Sequence, residues 1–78
     1  MRKIALALTI KDLRARARIT QEELAHRAQV HRTYVSQLER GLKSPTLDVV
    51  FRLAMALETE PDRLVAMVMA KSSRRAKE

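Results

Sequence analysis

The chain has 78 residues and carries 16 Lys and Arg against 9 Asp and Glu, a formal net charge of +7. That length holds one small domain with a marginal core, and the absence of cysteine excludes a disulfide framework and a thiolate zinc site. Tyr34 and Phe51 are the whole aromatic complement, which argues against a single-strand binder that stacks bases.

The charge sits at the two ends. Residues 1–18 are net +5, residues 71–78 net +3 and the stretch between them net −1. Such a balance raises the rate of encounter with a polyanion such as DNA. One Gly and two Pro among many Ala, Leu, Arg and Glu favour an all-α chain.

The opening residues, MRKIALALTI, have the outline of a signal peptide, but the apolar run is too short and charged residues follow at once. No stretch approaches the roughly 20 apolar residues of a membrane span, so the chain reads as soluble and cytoplasmic. The first helix is expected from about Lys3 or Leu8 to Ala17. Leu6, Ile10, Leu13 and Ala17, spaced 4, 3 and 4, form its core-facing stripe. Lys11, Arg14, Arg16 and Arg18 fall largely off that stripe.

Thr20 followed by Glu23 is a capping box that starts a helix over 21–28. Its apolar positions are Leu24, Ala25 and Ala28. The pattern pauses at Val30 and resumes at Tyr34, Val35 and Leu38, on a helix expected from about Arg32 to Arg40. Gly41 is placed to end that helix in a left-handed conformation. Two short helices around a tight turn make a helix-turn-helix, whose second helix enters the major groove. After a breaker at Ser44-Pro45, Thr46 caps a fourth helix that ends near Leu57. Glu60-Pro61 opens a fifth helix, expected to run to about Ala70. Residues 1–70 are thus expected as one domain and 71–78 as a basic, disordered tail.

On a recognition helix over 32–40, the N-terminal end and outer face reach base edges. Those positions are Arg32, Thr33, Ser36 and Gln37. Arg suits guanine O6 and N7, and Gln suits adenine N6 and N7. Gln21, at a helix N-terminus, together with Tyr34, Arg40 and Lys43, are the candidates for phosphate contact. Val35 and Leu38 point inward as core. Leu64, Val65, Met67, Val68 and Met69 give the fifth helix more apolar surface than a monomer core needs, which points to a twofold homodimer. No catalytic set is visible, and no cofactor or small-molecule site is evident. His26 and His31 lie five apart across a turn, so they share no helical face as a pair of metal ligands would.

Thr20, Gln21, Leu24, Ala25, Val30, Val35, Ser36, Leu38, Glu39 and Gly41 resemble the lambda-repressor-like family of Cro and C-repressor type. Pro45, Thr46, Leu47, Leu53, Ala54, Leu57, Pro61 and Leu64 continue the likeness, over roughly residues 10–65. The run from His31 to Ser36 is most similar to a subgroup that includes restriction-modification controller proteins. Two positions depart from the family pattern: Gln29 stands where a turn glycine is usual, and His31 where a Ser or Thr cap is usual. The resemblance implies a compact five-helix fold and an Arg14–Glu39 ion pair beneath the recognition helix. It also implies that Met55 stands at a position commonly polar in the family, which adds Met55 to the expected dimer surface of Leu64, Val65, Val68 and Met69. In relatives that activate transcription, a residue matching Glu22 touches the RNA polymerase sigma subunit.

The expectation is therefore a non-enzymatic transcriptional regulator that binds a palindromic double-stranded DNA operator as a homodimer. It is of the controller or phage-repressor kind. The alternative on the same fold is an antitoxin that binds a protein toxin and its own promoter. A basic amphipathic peptide at a membrane surface is a further rival, against which the two-helix motif weighs.

Overall fold

Five helices follow one another in the computed structural model, which describes the backbone of residues 2–77 and the side chains of residues 2–73. They are α1 (Arg2–Ala17), α2 (Gln21–Ala28), α3 (Arg32–Glu39), α4 (Leu47–Ala56) and α5 (Pro61–Lys77). α1 packs against α3 and α5, α2 against α3 and α4, and α4 against α5. The core they enclose is built on Ile10, Leu24, Val35, Leu38, Leu53 and Leu64, each essentially inaccessible to solvent. Among the described residues no helix is long and apolar enough to cross a membrane.

The first four helices end in the same way. In each, the residue after the last turn is left-handed, and two amides reach back to carbonyls that would otherwise be orphaned. Arg18, Gln29, Gly41 and Glu58 take that position, with φ of 59°, 59°, 75° and 55°. At the end of α3, for example, Leu42 donates to the Gln37 carbonyl at 2.9 Å and Gly41 to that of Leu38 at 3.1 Å. Only one of the four carries the glycine that advertises such an ending in a sequence. A Cβ on Gly41 would meet Ile4 Cγ1 at no less than 3.7 Å, so backbone conformation and not crowding calls for glycine there.

Thr20 and Thr46 cap α2 and α4 as their positions imply, accepting from the Glu23 and Val49 amides at 3.0 and 3.3 Å. The capping box is only half formed. Glu23 does not reach back to Thr20; its carboxylate takes Arg27 one turn on, at 2.7 Å. The charged partner on the same helix face outcompetes a neutral amide for that carboxylate.

α1 ends at Ala17 as expected and starts one residue before Lys3; the burial along it is what departs from expectation. Its first half is buried on two sides, with Ala5, Ala7 and Thr9 covered in addition to Leu6 and Ile10. Thr9 satisfies its buried hydroxyl by donating to the Ala5 carbonyl at 2.9 Å. Leu13 is half-buried, and Ala17 is exposed where it was expected in the core. The left-handed Arg18 turns the chain away at that point, leaving Ala17 on the wall of an open cleft with Leu13, Arg27 and Leu57.

α5 runs to Lys77, so the expected helix end near Ala70 and the irregular tail after it are corrected over residues 71–77. KSSRRAK contains neither Gly nor Pro, so no helix breaker follows Ala70. Glu78 lies outside the described residues.

Candidate nucleic-acid interface

α3 divides cleanly into two faces. Val35 and Leu38 are fully buried, and Tyr34 is half-buried against the core. Arg32 and Thr33 are exposed, and Ser36 and Gln37 half-buried, along the other side. The four expected base-reading positions therefore share the outward face and the N-terminal end of one helix. Arg40 and Lys43, both exposed, follow it at the other end.

The helix is anchored from below through Glu39, whose side chain is only 4% exposed. Arg14 of α1 donates twice to that carboxylate, from Nε to Oε2 at 2.6 Å and from Nη2 to Oε1 at 3.0 Å. Its remaining Nη1 donates to the Ile19 carbonyl at 3.0 Å, in the link between α1 and α2. Gln21 Nε2 completes the set on Glu39 Oε1 at 3.0 Å. Three elements thus meet on one buried carboxylate, and a forked guanidinium fixes their relative angle in a way a lysine could not. The hydrogen bond from Arg14 to Glu39 holds the guanidinium above its ordinary range, against the opposing effect of burial.

This network alters one expected role. The side-chain amide of Gln21 donates to Glu39 and serves the anchor beneath α3, while its backbone amide stands in the first turn of α2. Sequence reasoning also overlooked Arg18. Its left-handed backbone brings it beside the N-terminus of α2, where it lines one cleft with Thr20, Gln21, Glu22 and Arg32. Nothing in a run of alternating Arg and Ala distinguishes that arginine; only the turn does. Among the described residues no three His, Cys, Asp or Glu side chains gather as a metal site would require.

The turn before α3 accommodates both departures from the family pattern. Gln29 adopts the left-handed conformation that glycine favours, with φ 59° and ψ 47°. His31 is the N-cap of α3 and makes no side-chain capping hydrogen bond.

A family model described as helix-turn-helix matches residues 10–64. The chain belongs to the helix-turn-helix family. It is 35% identical over 51 residues to the control protein C.BamHI of Bacillus amyloliquefaciens, covering 65% of this chain and 63% of that protein. It is 35% identical over 63 residues to the control protein C.SmaI of Serratia marcescens, covering 81% and 75%. Two Mycobacterium tuberculosis helix-turn-helix regulators match over 39% of their length, so the chain spans less than two thirds of the first curated relatives. Among solved structures, the clp gene regulator ClgR of Corynebacterium glutamicum superposes with a TM-score of 0.90 at 25% identity, over 99% of this chain and 82% of that one. The controller protein C.Esp1396I, solved as a tetramer on its natural 35 base-pair operator, gives 0.81 at 26% identity, over 90% and 92%. The two solved structures superpose on 99% and 90% of this chain, well beyond the two-helix motif alone.

The expected dimer surface divides. Met55 and Met69 are strongly exposed, at 74% and 64%, and Val65 is exposed at 40%. Val68 is half-buried against the core. Leu64 is 1% exposed and belongs to the core, so its place in a dimer surface is corrected. As the fourth residue of α5 it faces inward, and Val65, one position on, is turned about 100° away from it. Leu47 and Phe51, which the sequence reading passed over, are exposed and stand on α4 at four-residue steps with Met55.

Proposed function

We propose that the chain binds double-stranded operator DNA as a homodimer and regulates transcription, in the manner of a restriction-modification controller. The observation that carries this reading is the two-faced α3. Arg32, Thr33, Ser36 and Gln37 point outward, while Val35, Leu38 and the Glu39 anchor hold the helix from beneath. Polar side chains on a rigid, internally anchored helix are what direct readout of base edges in the major groove requires. Arg40, Lys43, Arg18 and the first-turn amides of α2 supply phosphate contacts on either side of it.

The two named control proteins and the operator complex of C.Esp1396I support the controller reading. An apolar stripe of Leu47, Phe51 and Met55 on α4, with Val65 and Met69 on α5, is the surface for the second copy. Twofold pairing through it matches a palindromic operator. Glu22, exposed in the first turn of α2, is the surface for the polymerase sigma subunit if the regulator activates.

Selection of bound duplexes from a random pool, followed by titration at two or more salt concentrations, tests the reading. Arg32→Ala should lose about 1–3 kcal/mol of discrimination at one base pair in each half-site. Lys43→Ala should weaken operator and scrambled duplex nearly equally and lower the salt slope by about one. No enrichment of any sequence by the wild-type chain would refute operator binding. An unchanged ratio of specific to nonspecific affinity in Arg32→Ala would refute the assignment of α3.

A further inference from the structure

Arg52 on α4 reaches across to the turn of the helix-turn-helix, outside the Glu39 network. Its Nη1 donates to the Gln29 carbonyl at 3.2 Å, and its Nη2 lies 3.2 Å from Asp48 Oδ2, one turn back on its own helix. Its Nε is buried with no partner, so those two contacts are all that hold the guanidinium. Gln29 is the left-handed residue between the two helices of the motif, three positions before Arg32. At that point the amides of Gln29 and Val30 already close the end of α2 on His26 and Ala25, at 3.2 and 3.0 Å.

We infer that Arg52 is the positioning residue for the recognition helix, a clamp from α4 that holds the helix-turn-helix turn in its left-handed conformation. The physical case has three parts. A residue with a Cβ resists positive φ, which glycine adopts without penalty; back-bonded amides hold Arg18 and Glu58 in that conformation, and at Gln29 the Arg52 contact is added to them. The C-terminus of α2 is the negative end of a helix dipole, where a cation bonded to the exposed carbonyl is favourable. Asp48, itself exposed, pairs with the guanidinium one turn back on α4, while the Arg52 side chain is about two-thirds covered and its Nε lies buried, so the contact reaches the turn from a packed helix. Loss of the clamp lets Gln29 relax toward ordinary φ and swings the N-terminal end of α3, with Arg32 and Thr33, out of register with the bases.

The inference rests on the DNA-binding reading for its consequence but not for its geometry, and the test separates the two. Amide exchange without DNA is the first measurement. In Arg52→Met, which keeps the length of the stem, exchange at Gln29 and Val30 should accelerate about tenfold, the equivalent of one charge-assisted hydrogen bond, with the amides of α1 and α5 unchanged. Gln29→Gly in the same chain should restore protection at Val30, because glycine holds the left-handed turn without help. A purely structural role for Arg52 would give no such rescue. Arg52→Lys, which keeps a charged donor, should retain part of the protection and serves if Arg52→Met does not fold. On the selected duplex, Arg52→Met should lose about tenfold in affinity, and the added Gln29→Gly should recover most of it. Unchanged exchange at Gln29 and Val30 in both Arg52 variants would overturn the clamp, as would failure of Gln29→Gly to restore Val30. Rescue of exchange by Gln29→Gly in the Arg52→Met chain, together with a wild-type chain that selects no duplex, would uphold the clamp and refute the DNA-binding reading alone.

Discussion

Replacing Arg14 with methionine keeps a long apolar stem but removes the guanidinium from Glu39. Three hydrogen bonds disappear, two to the carboxylate and one to the Ile19 carbonyl. Glu39 stays buried, at 4% exposure, with Gln21 as its remaining side-chain donor. Breaking one half of a buried pair costs about 3–5 kcal/mol, and the low end applies because the Arg14 side chain keeps 23% exposure and water can enter its place. A domain of this length holds about 4–12 kcal/mol in all, so Arg14→Met should remove a quarter or more of it. On a chain of 60–100 residues a loss of about 3 kcal/mol corresponds to a fall in Tm of about 12–24 °C, read by thermal melting in circular dichroism. Arg14→Met with Glu39→Leu should be more stable than Arg14→Met alone, because the uncompensated buried charge is gone. The pH profile follows from the raised Arg14 value: the stabilisation is complete below the ordinary arginine range and is lost only as pH rises through the raised one. Arg14 itself therefore adds no pH dependence near neutrality. An Arg14→Met chain within 1 kcal/mol of wild type, or a double variant less stable than the single, would refute the account of Glu39 as a buried anchor.

Glu58→Gly should raise stability by about 0.5–1 kcal/mol in urea unfolding, since Glu58 holds φ 55° in the link between α4 and α5; a loss of stability would show the left-handed ending there to be misread. Leu64→Ala should cost about 2–5 kcal/mol in the same assay, because the side chain lies in the core. Met55→Glu with Met69→Glu should instead leave stability nearly unchanged and weaken self-association in sedimentation at micromolar concentration; an unchanged dimer would move the interface elsewhere. Glu22→Lys should keep operator binding and lose activation in a reporter assay, and equal activation by both chains would remove the sigma contact from α2.

Local chemistry was legible wherever one residue type answers one backbone need. Thr20 and Thr46 cap because a side-chain oxygen at the start of a helix meets free amides, and Pro61 opens α5 because its missing N–H costs nothing in a first turn. The buried stripes of α2 and α3 follow from 3.6-residue periodicity alone, as does the outward set Arg32, Thr33, Ser36 and Gln37. The Arg14–Glu39 pair was legible only through resemblance, because its partners stand 25 residues apart and no spacing rule joins them.

What the sequence determined by itself was the helical class, the two-helix motif and the face of α3 that looks outward, because each depends on neighbours within one or two turns. Tertiary structure decided the rest. It alone shows that Ala17 is exposed and Leu64 buried, since both continue apolar stripes and only the position of the next helix separates core from surface. It places Arg18 beside α2, Gln21 on Glu39 and Arg52 on the Gln29 carbonyl, contacts made across helices and invisible to periodicity. Arg18, Gln29 and Glu58 end their helices left-handed without glycine, because helix packing and back-bonded amides can hold a conformation that the residue itself disfavours.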